Sequence, residues 1–147
     1  ITFEKYTPKI VNTLKLVQFS LAQSLPSEKN IEKSDSDYIY DNYSYKYQNR
    51  QLLNILSEYR DGADDILIVR DGFITDTSFS NVVLLKDGIW HTPDTYLLNG
   101  TCRQRLLYEK KIQEASVTVE NIDDYDEIRL INAMIDIKQA RIVKILK

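Results

Sequence analysis

Apolar and polar residues follow different periods in different parts of the chain, and each period predicts an element. Lys9 to Phe19 carries Ile10, Val11, Leu14, Leu16 and Val17, aliphatic and partly β-branched, which predicts a strand. From Ala22 to Asp37 the apolar signal stops and a polar loop is expected, longer than most connections and so of the kind that carries function or disorder. Tyr38 to Tyr47 reads as extended; alternation sets Tyr43, Tyr45 and Tyr47 on one face and Ser44 and Lys46 on the other. Between Asn49 and Arg60, Leu52, Leu56 and Tyr59, with Leu53 beside them, form one helical stripe. Asn49 is its expected N-cap, and Gly62 stands where a helix would stop.

The second half is richer in strands. Asp65 to Arg70 encloses the unbroken run Ile66-Leu67-Ile68-Val69, which predicts a strand buried on both faces. Asp71-Gly72 then leads into Phe73 to Thr75, and Asp87-Gly88 joins Asn81–Lys86 to Ile89–Thr92. Asp-Gly between β-rich runs supplies the positive φ angles of a type I′ turn. Two such hairpins in succession predict a meander. Pro93 to Asn99 reads as loop, and Thr101 as the cap of a helix running to about Lys111 with Leu106 and Leu107 facing inward. Short strands are expected over Ala115–Val119, Glu127–Asn132 and Arg141–Leu146.

A chain of 147 residues has room for one domain with a real core, so residues 1–147 are expected to form a single unit. Net charge −3 argues against a nucleic-acid partner, because phosphate neutralisation needs a basic face. No apolar run is long enough to span a bilayer, and no signal peptide is recognisable at Ile1, so no membrane partner is expected. The lone Cys102 fits a reducing, cytoplasmic location, and one histidine with one cysteine gives no basis for a metal site. The only methionine is Met134, so the chain is expected to be a processed or trimmed piece of something longer.

Three features could carry chemistry. Lys46 sits between aromatic residues; walled in, its amine would lose its proton readily and attack carbonyl carbon. Ile74 to Asn81 gathers small hydrogen-bonding residues around Asp76, a sequence that equally describes a polar turn or bulge. Asn99 to Gln104 opens a helix with free N–H groups, a hydroxyl and a basic side chain, an anion cup or simply a capped helix. An aldehyde-trapping lysine, a carboxylate and a phosphate cup together fit pyridoxal 5′-phosphate.

Tyr45 to Arg50, the Asp64–Asn81 segment with its acid-Thr-Ser-x-Ser-Asn run, His91-Thr92-Pro93 followed by Leu98 to Arg103, and Asp126 to Met134 resemble, in order and spacing, the fold-type-IV pyridoxal phosphate enzymes, or class IV aminotransferases. The lysine segment, a Lys followed by Asn-Arg, resembles the 4-amino-4-deoxychorismate lyases of that family most. The resemblance implies an α+β fold: the C-terminal lobe of the D-amino-acid aminotransferase-like fold, a mixed sheet or pseudo-barrel with flanking helices. It implies that Lys46 forms the Schiff base and shuttles protons, that Asp76 pairs with the pyridine nitrogen, and that Thr101, Cys102, Asn132 and Ala133 hold phosphate. Asp76 stands where the family usually has Glu, which shortens the reach by one methylene.

The activity so implied is loss of pyruvate from aminodeoxychorismate, leaving 4-aminobenzoate for folate biosynthesis, by a cytoplasmic homodimer. The alternative within the family is an aminotransferase for D-amino or branched-chain amino acids. The resemblance begins where the family's larger lobe begins, which implies that the smaller N-terminal lobe, with its phosphate-binding arginine, is not in this chain. A non-catalytic fragment or relic of the fold is therefore a third expectation. Cys102 is expected to be a cap residue and not a nucleophile, Trp90 to pack on the sheet, and His91 to end a strand. Arg50 and Arg103 would bind anions or form ion pairs.

Overall fold

The computed structural model describes residues 10–19 and 50–146. Within them the chain forms an 8-stranded mixed sheet and two α-helices. Strand β1 is Thr13–Gln18 and helix α1 is Arg50–Ser57. Strands β2 to β5 follow at Asp65–Arg70, Phe73–Thr77, Asn81–Lys86 and Ile89–Pro93. Helix α2 is Thr101–Tyr108, and β6, β7 and β8 are Gln113–Ala115, Glu127–Ile131 and Ile142–Ile145. The sheet order is β3-β2-β1-β8-β7-β4-β5-β6.

Strand β2 organises the sheet because its apolar run has something to bury on each side. Leu67 and Val69 point inward with Leu14, Ile74, Val82, Leu84 and Val143. Ile66 and Ile68 point outward against Val17, Phe19, Leu56 and Leu97. Each of these β2 side chains is fully buried, at about 1.5–3 kcal/mol apiece, so the both-faces-buried expectation holds. A third cluster, Val83, Cys102, Leu106, Ile112, Ile131 and Ala140, seats α2 on the outside of β4 and β7. The sheet curls until its edges meet. Beyond β6, Val117 O accepts from Ile74 N at 2.8 Å and Val119 N donates to Gly72 O at 3.0 Å, stitching the chain after β6 to the opposite edge strand β3.

Both Asp-Gly pairs form the expected turns: φ is 51° and 83° at Asp71-Gly72, and 53° and 76° at Asp87-Gly88. A Cβ at Gly72 or Gly88 would meet nothing, so it is the backbone angle and not space that selects glycine there. The meander does not form. Strand β4 pairs with β5 and β7, while β3 pairs with β2 and then with the 117–119 segment. A turn type fixes pairing inside a hairpin, not between hairpins. Here the chain between them is a tight turn in which Thr77 N donates to Ser80 O (2.9 Å) and Ser80 N to Thr77 Oγ1 (3.0 Å), which sends β4 to another part of the sheet.

Smaller corrections have local causes. Strand β3 runs two residues further than expected, through Asp76 to Thr77, because buried hydrogen bonds such as Thr75 Oγ1 to Ile68 O (2.7 Å) replace the missing apolar pattern. Tyr59 is not in the buried stripe: α1 ends at Ser57, and the tyrosine falls on a following 3₁₀ turn that buries nothing. Leu56 is fully buried, and the chain reverses at Asp61 and Gly62, both at positive φ. Helix α2 stops at Tyr108 because Lys110 takes φ 60° and Lys111 N turns back to Leu106 O. The strand expected over Ala115–Val119 lies earlier, at Gln113–Ala115, with only a single bridge beyond it between Thr118 and Phe73. Lys46, the tyrosine-rich segment, the polar loop at 22–37 and Asn49 lie outside the described residues.

Candidate functional site

Asp76 is the most deeply placed of the described polar candidates. It is fully buried near the end of β3, where its Oδ2 accepts from Leu98 N at 2.9 Å, Leu97 N at 3.2 Å and, more weakly, Asn81 Nδ2 at 3.5 Å. A carboxylate is tolerated at such a depth only when it is well hydrogen-bonded. The surrounding run of hydroxyls does separate work. Thr77 closes the turn to β4, and Ser78 Oγ lies 2.8 and 2.9 Å from the two oxygens of buried Asp65 at the start of β2. The polar-turn reading of Ile74–Asn81 is realised, and the same segment buries the Asp76 carboxylate among backbone donors.

The loop that bonds to Asp76 leads directly into helix α2. One residue, Asn99, separates Leu98 from Gly100, which is the N-cap; Thr101 is the first helical residue, and Gly100 O accepts from Gln104 N at 3.0 Å. Thr101 was expected as the cap and is not. Asn81 packs so close to Gly100 that only glycine fits at the capping position. With no side-chain cap bond, the first-turn N–H groups are left to a ligand or to water, and the helix dipole favours an anion there.

Asn132 and Ala133 come to the same end of the molecule in a tight turn after β7. Asn132 and Ile135 exchange backbone hydrogen bonds at 3.1 Å, and Met134 N donates to Asn132 Oδ1 at 2.9 Å. The turn meets α2 where Cys102 Sγ lies 3.8 Å from Ile135 O, and Arg105 Nη2 reaches Asp136 Oδ2 at 2.7 Å. Burial pushes the Cys102 thiol up, and Asp136 adds to this while Arg105 pulls the other way. A protonated, buried thiol suits the cap-region role expected of it and not that of a nucleophile.

Arg103 resolves its alternatives in favour of the ion pair. It is 2% exposed, pairs with Glu114 at 2.5 Å, donates to Asn99 Oδ1 and Pro93 O at 3.0 and 3.1 Å, and stacks over Tyr96 at 4.2 Å. It locks the whole 93–99 loop to α2 and β6. Trp90 packs beside the third cluster with Arg129 at 5.3 Å over its ring; His91 sits inside β5, edge-on to Tyr125 at 5.7 Å, and so does not end a strand. The Leu97 and Leu98 amides and Asn81 were not expected as site groups. Asn81 was visible as the last residue of a motif, whereas backbone donors leave no mark in a sequence. Among the described residues no helix is long and apolar enough to cross a membrane.

A buried carboxylate is thus linked by one short loop to a helix start that has no side-chain cap. Comparison with known proteins places the chain in a family. Residues 47–143 match the family model for class IV amino-transferases. An uncharacterized protein of Haemophilus influenzae is 47% identical over 92 residues, 63% of this chain and 49% of its own length. D-alanine aminotransferase of Listeria monocytogenes is 31% identical over 96 residues, 58% of this chain and 33% of the enzyme. The crystal structure of a candidate 4-amino-4-deoxychorismate lyase from Haemophilus somnus superposes with TM-score 0.66 and 33% identity, over 90% of this chain and 58% of that one. The chain thus spans about half or less of the length of the curated relatives it matches.

Proposed function

The chain belongs to the class IV amino-transferase family, whose members use pyridoxal phosphate, and from that premise we propose that it serves a 4-amino-4-deoxychorismate lyase-like reaction, releasing pyruvate to leave 4-aminobenzoate. The observation that carries the reading is the joined pair of Asp76 and the α2 N-terminus through Leu97 and Leu98. The lyase choice rests on the 33% identity to the Haemophilus somnus protein across 90% of the chain. The 31% identity to D-alanine aminotransferase, over a shorter stretch, supports the second reading, transamination of a small D-amino acid.

The cofactor, when bound, supplies an aldehyde to attach the amine and a ring that accepts electrons. The protein supplies the rest. Asp76 would hold a proton at the ring nitrogen, in a buried setting that keeps water from competing for it. The two backbone N–H donors to Oδ2 fix the direction in which the carboxylate faces. Thr101 and Cys102, through their backbone N–H groups, with Asn132 and Ala133 opposite, would receive the phosphate. Lys46 would attach the cofactor and afterwards move protons as a base.

The test uses the full-length protein. Mixed with pyridoxal phosphate it should develop a visible absorbance band that Lys46→Ala abolishes, and borohydride should fix the cofactor's mass on Lys46. Pyruvate released from aminodeoxychorismate with no keto-acid acceptor selects the lyase. Turnover of D-alanine that requires a keto acid selects the aminotransferase. No absorbance and no fixed mass defeat both.

A further inference from the structure

Asn81 is fixed by three contacts whose combination no packing role requires. Its residue is 4% exposed at the start of β4. Its Nδ2 donates to Leu98 O at 2.8 Å and lies 3.5 Å from Asp76 Oδ2. Its Oδ1 faces Gly100, where an added Cβ would collide with it; Oδ1 and Cγ of Asn81 are the atoms within 4 Å that such a Cβ would meet among the described residues. Gly100 has φ −62°, which any residue adopts, so glycine is required there by Asn81 and not by the backbone. One side chain therefore touches the carboxylate, the carbonyl of the intervening loop, and the N-cap of the helix.

We infer that Asn81 is a positioning residue that sets the spacing between the two ends of the cofactor site, holding the α2 N-terminus at a fixed offset from Asp76; the inference rests on the proposed use of pyridoxal phosphate. The strong bond is the one to Leu98 O, whereas Asp76 keeps two backbone donors of its own. Loss of Asn81 therefore loosens the phosphate end more than the ring end, which keeps the Leu97 and Leu98 N–H donors. A ligand that spans both ends feels the change more than one that lacks the phosphate.

The apo form of the full-length protein is titrated with pyridoxal phosphate and, separately, with pyridoxal. Asn81→Ala should weaken pyridoxal phosphate about tenfold and pyridoxal less than about twofold, as expected for one buried hydrogen bond acting at one end. Gly100→Ala should weaken pyridoxal phosphate by about tenfold or more, because its methyl drives Asn81 and the helix start apart. In the double variant the methyl has room, so the two losses should not multiply, and binding should stay near that of Asn81→Ala alone. Asn81→Ser, shorter but still polar, gives the same reading should the alanine variant not fold. Equal losses for the two ligands, or losses that multiply in the double variant, overturn the positioning role while leaving the cofactor reading intact. A wild-type protein that binds neither ligand removes both.

Discussion

Helix α2 carries two arginines, separated only by Gln104, that hold two loops by opposite means. Arg103 faces inward at 2% exposure and pins the 93–99 loop through Pro93 O, Asn99, Tyr96 and Glu114. Arg105 faces outward at 44% exposure and pins the 132–140 turn through Asp136 alone, with Glu109 beside it. The inner loop carries the donors to Asp76, and the outer turn carries Asn132 and Ala133. The Asp76 carboxylate is therefore held in the core, away from water, whereas the turn beside the α2 start is held by a solvent-bathed latch. The difference teaches that a motif ending in arginine can be structural at its last residue, while the less patterned arginine two positions on holds a different turn from the solvent side.

The largest effect is expected on the inner side. Arg103→Leu removes the donors to Pro93 O and Asn99 and leaves a buried carbonyl unsatisfied. Glu114, half exposed, remains solvated, so the loss falls on the loop and not on a stranded charge. Stability should drop by about 2–4 kcal/mol in urea unfolding, with an unchanged m-value. Arg103→Lys should recover little, since one ammonium cannot serve Pro93, Asn99 and Glu114 or stack on Tyr96. A loss below about 1 kcal/mol, or full recovery by lysine, would erase the contrast between the two arginines.

This division was only partly legible beforehand. The Ile66–Val69 run and the two Asp-Gly turns declare themselves because burial on both faces and positive φ each demand particular residue types. Asp76 and the Thr101 helix start were legible as chemistry, since a carboxylate in a run of hydroxyls and a glycine before a helix are compositional signals. The pairing of β3 with residues beyond β6 was not, because long-range register depends on which edge is left open once every strand has packed. Nor were the Leu97 and Leu98 amides, which any residues could supply. Gly100 was misread for a related reason: Thr101 has the better capping side chain, but the space Asn81 occupies decides which residue caps.

Cys102 stands just before Arg103 at the start of α2, and its thiol reports on the outer pair of Arg105 and Asp136. Its thiol is pushed up chiefly by burial, raised further by Asp136 and lowered by Arg105. Only thiolate reacts, so alkylation at pH 7 should run slower in the folded protein than in urea. Asp136→Asn removes a raising charge and should speed the folded-state reaction, while Arg105→Ala removes a lowering one and should slow it. Equal folded and unfolded rates would mean that the α2 start opens readily, and that the inner side is no more rigid than the outer.

The smallest effect belongs to the outer latch, and its sign with pH distinguishes it from the inner lock. The hydrogen bond from Arg105, helped by the Ile137 N–H, holds the Asp136 carboxyl below the usual carboxylate range. A carboxyl so lowered stabilises the fold above its unfolded value of about 3.9, and that contribution disappears as pH falls through the lower folded value. Arg105→Ala should therefore differ from wild type near pH 7, by an amount close to the resolution of a thermal melt because the pair is exposed and screened. The two stability curves should then converge as the pH is taken down past the Asp136 titration, and also in high salt. Urea midpoints measured from pH 7 to pH 3 decide it. A gap that widens in acid would show that Arg105 contributes through packing, and the distinction between a buried lock and a solvated latch would fall.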